Sequence, residues 1–175
     1  MSKVNFSHPA NQKYLSKHGP FIKPAYNFQT KDECDPASID QVELKLGMHA
    51  EVVRIFWNEI TKDLPEDCRW IVRGRAVLVR PKNGVIFGFQ ATNISFALRL
   101  PQTEKAVAIN SIGHLKMDLS AGGTYDVNEY GDDWVLFYAK GSDSLRRFCL
   151  ESYRYAGNLQ MPEIPGYRMP SGGEG

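Results

Sequence analysis

The sequence predicts an α+β protein: a single antiparallel sheet of about five strands, with helices packed on one face and an extended N-terminal arm. Residues 93–100 alternate between apolar and polar side chains, as a half-buried strand does. An Asn83-Gly84 pair stands between two apolar runs, and this dipeptide is a strong hairpin signal. Patterns with a helical period lie before and after these strands, so helices are expected to flank one sheet.

The chain of 175 residues divides into three segments. Residues 1–34 are predicted to form a basic extended arm, residues 35–157 a single α+β domain, and residues 158–175 a flexible tail. Residues 1–31 of the arm hold no acid, which suits either an anionic partner or a solvated extension that wraps the surface. Its five basic residues are Lys3, Lys13, Lys17, Lys23 and Lys31.

Helical periodicity is clearest over residues 48–62, where apolar side chains recur every three or four positions. Asp35-Pro36 is a helix-start signal and predicts a short helix to about residue 42. Further helical turns are expected near residues 12–17 and over residues 104–110. The last helix covers residues 143–156, and Gly157 is placed to end it.

Five segments are predicted to be strands: residues 69–80, 85–91, 93–100, 112–119 and 134–139. If residues 69–80 form one continuous strand, its side chains alternate between two faces. One face then carries three arginines with three aliphatic residues: Arg69, Arg73, Arg75, Ile71, Val77 and Val79. Because the helices cover one face of the sheet, the other face must meet solvent, the arm or a partner.

The most informative feature of the sequence is a run of 36 residues, 68–103, that holds six cations and no acid. We interpret its hairpin as a basic sheet face, because guanidinium groups suit two-point contacts to phosphates or carboxylates. The acidic segment of residues 126–133 is the alternative partner for this charge within the molecule. The candidate anion-binding residues are Arg69, Arg73, Arg75, Lys82 and Arg99.

Motifs for catalysis, metal binding or cofactor binding do not stand out. The four histidines lack the HxH and HExxH spacings, and the three cysteines contain no CxxC pair. Cys68 and Cys149 stand among apolar residues, which is typical of buried, inert thiols. Neither a signal peptide nor an apolar run of membrane-spanning length is visible, so we expect a soluble cytoplasmic protein with no membrane partner.

The order of elements from about residue 64 to residue 157 resembles that of the YjbR-like family of small α+β domains. Two stretches carry the resemblance: residues 96–101, Phe-Ala-Leu-Arg-Leu-Pro, and residues 134–138, Trp-Val-Leu-Phe-Tyr. The second stretch precedes a helix that ends in residues 151–156, Glu-Ser-Tyr-Arg-Tyr-Ala. The resemblance implies a helix, an antiparallel sheet and a closing helix, and a DNA-binding role has been suggested for that family by structural analogy.

Three functions compete at this point. The first is a non-enzymatic binding domain that engages an anionic partner, such as a small anion or nucleic acid, through the basic hairpin face. The second is an enzyme or binding protein for a small anionic ligand, held in a pocket between the sheet and the arm. The third is a protein–protein interaction module, such as an inhibitor, an immunity protein or a homodimer, in which Ile71, Val77 and Val79 form an exposed apolar patch.

Overall fold

The computed structural model describes residues 4–18, 22–24, 59–72, 75–138 and 143–161. Its helices are α1 (Gln12–His18), α2 (Gln102–Ile109) and α3 (Asp143–Gly157). Its strands are β1 (Ile22–Pro24), β2 (Arg69–Val72), β3 (Arg75–Val79), β4 (Ile86–Thr92), β5 (Ser95–Arg99), β6 (Gly113–His114), β7 (Lys116–Asp118), β8 (Thr124–Asp126) and β9 (Trp134–Tyr138).

The main sheet has seven strands in the order β1-β2-β3-β4-β5-β9-β6, and every neighbouring pair is antiparallel. Strands β7 and β8 form a separate two-stranded hairpin. The predicted α+β class is therefore confirmed, whereas the expected strand number of about five is too low. The sequence pattern missed β1, because three residues are too few to show a period.

The segment 69–80, predicted to be one strand, is two strands. Val72 and Arg75 are register partners in an antiparallel pair, so the chain reverses between them. Partners directly across a sheet place their side chains on the same face. Arg69 therefore shares a face with Leu78, and Trp70 shares the opposite face with Val77. The face assignment made for a continuous strand is wrong for one half of this segment.

Helices α2 and α3 cover one face of the sheet, as predicted. The apolar side of α3 contributes Leu145, Phe148, Cys149 and Ala156 to a core with Phe87, Phe96, Leu98 and Phe137 of the sheet. Phe137 and Phe148 stack with their ring centres 5.5 Å apart. This is the main hydrophobic core. The helical period of residues 143–156 predicts the apolar face of α3, and that face is the one buried in this core.

The N-terminal arm covers part of the opposite face, where the sequence left solvent, arm and partner as alternatives. Tyr14 of α1 is 3% exposed and packs 5.0 Å from the ring centre of Phe89. Phe89 in turn lies 4.9 Å from Trp134 and 4.7 Å from Tyr130. The arm is thus bound to the sheet through a second, largely aromatic core.

Polar contacts fix the arm to the turn between β3 and β4. The buried Asn11 side chain donates to the carbonyl oxygens of Asn5 and Gly84 at 2.8 and 2.9 Å. Its carbonyl oxygen accepts the N–H of Ile86 at 2.8 Å, which supplies a partner at the start of β4. The short predicted helix near residues 12–17 is confirmed as α1, and it begins directly after Asn11.

Some sequence predictions fall outside the described residues. The short helix after Asp35 lies wholly outside them, as does residue 162 onward of the predicted tail. Most of the helix predicted over residues 48–62 lies outside as well. Ile60 and Leu64, two of the apolar positions that follow its pattern, are buried in the α3-side core.

We predict that Asn11→Ala lowers the free energy of unfolding by about 1–3 kcal/mol, because the buried N–H of Ile86 loses its acceptor, whereas the carbonyl of Gly84 keeps the N–H of Asn5. The measurement is chemical denaturation followed by tryptophan fluorescence. The matched control is Gln12→Ala, whose hydrogen bonds to Phe6 and His8 lie at the surface and should contribute less than about 1 kcal/mol. An equal decrease in the free energy of unfolding in both variants would contradict the assigned role of Asn11.

Candidate anion-binding site

The structure does not assemble the predicted basic face. Arg69 and Arg99 are only 8% and 4% exposed, so neither side chain lies on an open surface. Arg69 is across from Leu78, which belongs to the core under α3, whereas Arg99 is across from Trp134, which belongs to the core under the arm. The two arginines therefore lie on opposite faces of the sheet, and their assignment to one exposed face is wrong.

Arg69 is held by a buried threonine. Its Nε and Nη2 donate to the hydroxyl of Thr61 at 3.1 and 3.0 Å, and Nη2 also approaches the Thr61 carbonyl at 3.4 Å. Thr61 is itself fully buried. This contact ties the start of β2 to the segment that precedes it, which is a structural role.

Arg99 is the centre of a buried polar cluster. Its guanidinium donates to the carbonyl oxygens of Ile86 and Ala10 at 3.0 and 2.6 Å, and to Asp133 Oδ2 at 3.1 Å. Its carbon Cζ lies 4.5 Å from the ring centre of Trp134. Burial lowers the pKa of Arg99, and the neighbouring Asp133 carboxylate opposes that shift. With these donors engaged, Arg99 is a structural cation rather than a ligand-binding one.

The same carboxylate connects Arg99 to α3. The phenol of Tyr155 donates to Asp133 Oδ2 at 3.2 Å. Burial, followed by the nearby Asp133 charge, raises the pKa of Tyr155 to about 12. The acidic segment of residues 126–133 thus partly neutralises the cation run, as the sequence allowed, and it also pairs Lys17 with Glu129 and Lys116 with Asp126.

Three predicted anion-binding residues remain, and the structure describes only some of them. Lys82 is exposed in the turn between β3 and β4. Arg73 lies outside the described residues, and Arg75 is described only as a backbone position of β3. The predicted apolar patch is also corrected, because Val77 and Val79 are fully buried under the arm.

The turn that carries Lys82 forms as the Asn-Gly signal predicts. The N–H of Arg80 donates to the carbonyl of Val85 at 2.7 Å, and the N–H of Gly84 donates to the carbonyl of Arg80 at 2.8 Å. Gly84 has a φ of 72°, a conformation that glycine adopts without strain. The Asn83 side chain donates to the carbonyls of Ala156 and Leu159, so the turn is attached to the end of α3.

Arg80, which the sequence analysis counted but did not assign to a site, occupies a slot on α3. Its Cζ lies 3.6 Å from the ring centre of Tyr153. A Cβ added to Gly157 would lie 2.6 Å from Arg80 Nε and 3.0 Å from Nη2, so a larger residue at position 157 would displace the guanidinium from this slot. The guanidinium is therefore packed against both the ring of Tyr153 and the backbone of Gly157.

No carboxylate of the described residues pairs with Arg80. The ion pairs in this part of the protein involve other cations: Lys17, Arg99, Lys116, Arg146, Arg147 and Arg154. The buried Nε of Arg80 also has no hydrogen-bond partner. Burial raises the pKa of Tyr153, and the positive charge of Arg80 opposes this shift. An arginine held in place without a counter-ion is the feature that most resembles an anion site.

Arg80 also suits its place at the end of a helix. The last carbonyl groups of α3 carry partial negative charge, and a cation next to them is stabilising. Asp67 is close enough to influence the pKa of Tyr153, so one acid stands near the slot. A structural role for Arg80 is therefore the alternative that any test of binding must exclude.

A second polar cluster lies on the arm side of the sheet. The Tyr130 hydroxyl is 2.9 Å from His18 Nε2 and accepts a hydrogen bond from the Tyr125 hydroxyl at 3.2 Å. Tyr130 is only 7% exposed, which limits access for a ligand. The described residues contain no group of three or more His, Cys, Asp or Glu side chains that could hold a metal ion.

Comparison with protein-family models, with curated proteins and with solved structures gave no match. The resemblance to the YjbR-like family is therefore still a prediction. Among the helices described, none combines the length and the apolar character needed to cross a membrane.

We predict that Arg99→Met lowers the free energy of unfolding by about 3–5 kcal/mol, because the Asp133 carboxylate loses its cationic partner and the carbonyls of Ile86 and Ala10 lose a donor. Arg147→Gln is the control, since it breaks an ion pair with Glu104 at the surface and should cost less than about 1 kcal/mol. Denaturant titration of both variants measures the difference. A loss in Arg99→Met no larger than that in the control would contradict the role of Arg99.

We also predict that the stability contributed by the Cys68 thiol falls at alkaline pH. Burial raises the pKa of Cys68 to about 12, whereas a thiol in the unfolded chain ionises near pH 8.5–9. Stabilisation is complete below the unfolded pKa and is lost as the pH rises towards 12. The stability difference between wild type and Cys68→Ala should therefore shrink by roughly 2 kcal/mol from pH 7.5 to pH 10.5.

The control for this measurement is Val85→Ala, which removes buried apolar volume without an ionisable group. Its cost should be the same at both pH values. If the cost of Cys68→Ala is equally insensitive to pH, the thiol ionises in the folded protein and is not buried as described.

Proposed function

We propose that this protein is a non-enzymatic binding domain that holds an anionic group of its partner at the turn between β3 and β4. The observation that carries the proposal is the guanidinium of Arg80, packed against Tyr153 and Gly157 with no counter-ion among the described residues. Lys82, exposed two residues further along the same turn, supplies a second cation.

The slot favours binding because it removes the conformational freedom of the arginine in advance. A free arginine side chain loses up to about 2 kcal/mol of conformational entropy when it is fixed, and a preorganised one loses less. Arg80 is half-buried and its Nε is buried without a hydrogen-bond partner, so we expect a ligand to contact the terminal nitrogens. Two parallel N–H groups match the spacing of two oxygens on a phosphate or a carboxylate.

The number of cations indicates a small anionic group rather than a long polyanion. Of the cations that the structure describes, Arg80 and Lys82 are the ones placed at this turn, and Asp67 stands near Tyr153. A nucleic-acid surface normally uses more phosphate contacts than two. The expected ligand is therefore a single phosphate or carboxylate group on a partner molecule.

A pocket between the sheet and the arm receives less support. The arm packs directly on the aromatic residues of the sheet, and the Arg99 guanidinium that would face a ligand there donates to the arm carbonyl of Ala10. A protein-interaction module has one favourable observation. Ile94 and Tyr138 are 54% and 42% exposed at the same end of the sheet, where Ser95, which follows Ile94, pairs with Tyr138.

We predict that Arg80→Gln weakens binding to pyrophosphate and reduces retention on heparin at low salt. Arg147→Gln is the matched control, because it removes the same charge from an exposed arginine of α3. The slope of log affinity against log salt should fall by about 1 in Arg80→Gln, corresponding to one lost contact. Isothermal titration with pyrophosphate and salt elution from heparin measure the two effects.

Two further variants separate binding from structure. Arg80→Lys keeps the charge without the planar group, and Gly157→Ala puts a methyl group into the slot. Both should weaken pyrophosphate binding, while Arg147→Gln leaves it unchanged. If Arg80→Gln only lowers the melting temperature and the parent binds neither probe, Arg80 is a structural cation and the interaction-module function takes its place.

A further inference from the structure

One of the contacts that attach the arm is made by a buried histidine. His8 is 2% exposed and precedes the short helical turn Pro9–Asn11. Its Nδ1 accepts the N–H of Ala10 at 3.1 Å, which caps that turn. Its Nε2 lies 3.1 Å from the carbonyl oxygen of Leu159, just beyond the end of α3. His8 thus joins the arm to the C-terminal end of the last helix.

These two contacts fix the protonation state of the ring. A carbonyl oxygen can only accept, so Nε2 must carry the hydrogen that faces Leu159. A backbone N–H can only donate, so Nδ1 must be the bare nitrogen that faces Ala10. The geometry therefore requires the neutral ring with its proton on Nε2. A second proton on Nδ1 would point at the N–H of Ala10, and that hydrogen bond would be replaced by a repulsive contact.

Among the described residues, the charged groups on the elements that pack near His8 do not compensate a second proton. In the turn between β3 and β4, Arg80 packs on Gly157 and Lys82 is exposed. From the sheet, Arg99 reaches the carbonyl of Ala10, and its charge is matched by Asp133. The next ionisable residue along the arm is another cation, Lys13. Apart from the paired Asp133, these groups are all positive.

We infer that His8 is an acid-sensitive latch for the N-terminal arm. Histidine is the side chain whose ordinary titration falls in the range of pH 5–8. When His8 gains a second proton, the cap on Ala10 is lost and docking of the arm on the sheet is weakened. Because the docked arm favours the neutral ring, docking is stable at neutral pH and weakens as the pH falls.

Release of the arm has a defined structural consequence. Asn11 would leave the carbonyl of Gly84 and the N–H of Ile86, and the ring of Tyr14 would leave Phe89. The aromatic face of the sheet would then become accessible to water or to another molecule. The inference goes beyond the proposed anion-binding function, and its test uses no anionic ligand.

The test is hydrogen–deuterium exchange of the full chain at pH 7.5 and pH 5.5, with rates corrected for the intrinsic effect of pH. Protection of the peptide that covers residues 4–18 should fall at least tenfold at pH 5.5 in the wild type. Peptides from the centre of the sheet, covering residues 95–99 and 134–138, should keep their protection. This pattern separates release of the arm from global unfolding.

His8→Asn is the decisive variant, because asparagine keeps a side-chain oxygen that can cap Ala10 but has no titratable group. Its arm should show equal protection at both pH values. His8→Gln gives a second non-titratable variant if His8→Asn folds poorly. His114→Asn is the control, since His114 is exposed at the edge of the sheet and its replacement should leave the pH effect intact.

Two results would overturn the latch. One is an arm in the wild type that is equally protected at pH 7.5 and pH 5.5. The other is a loss of protection at pH 5.5 that is as large in His8→Asn and His8→Gln as in the wild type, because the titrating group would then lie elsewhere.

Discussion

The arrangement of the protein depends on one buried charge, the guanidinium of Arg99. Arg99 projects from β5 into the core beneath the arm, where removing an ion from water costs several kcal/mol unless every donor finds a partner. The partners come from three separate parts of the chain: the carbonyl of Ala10 in the arm, the carbonyl of Ile86 in β4, and the carboxylate of Asp133 before β9. A change in the position of any of them would leave the charge uncompensated.

That requirement explains why the arm lies where it does. Apolar packing of Tyr14 on Phe89 favours contact with the sheet, but apolar contact alone does not define one register. The contact from Arg99 to Ala10 and the contacts of Asn11 with Gly84 and Ile86 are directional, so together they select a single position. Tyr155, through its hydrogen bond to Asp133, extends the same network to α3.

Much of the fold could be predicted because its signals are local. The helical period of residues 143–156, the alternation of residues 93–100 and the Asn83-Gly84 turn each depend on neighbours within a few positions. The alternation located β5 correctly but predicted a half-buried strand, whereas both faces of β5 are buried. The reversal between Val72 and Arg75 was missed, since the strands on either side are both apolar and read as one run. That error moved half of the segment to the wrong face, because side chains in a strand alternate with a period of two.

The candidate site could not be predicted from the sequence, because the residues that form it are far apart along the chain. The slot of Arg80 needs Tyr153 and Gly157, which are more than 70 positions away in the sequence and meet Arg80 only after α3 has packed. Tyr153 and Gly157 are four residues apart on a helix, so they lie on one face of it, but nothing in their spacing indicates which residue they receive.

The absence of acids from residues 68–103 does not mean that the cations in this segment lack partners in the folded protein. Arginine has five N–H donors, and buried arginines can use carbonyl and hydroxyl oxygens as well as carboxylates. Arg69 donates to Thr61, and Arg99 donates to two carbonyls and Asp133. Arg80 is packed against a ring and a glycine, and no carboxylate of the described residues pairs with it. Charge counted along a sequence therefore marks the segment to inspect, while the hydrogen-bond partners of each guanidinium decide which cation is left to bind something else.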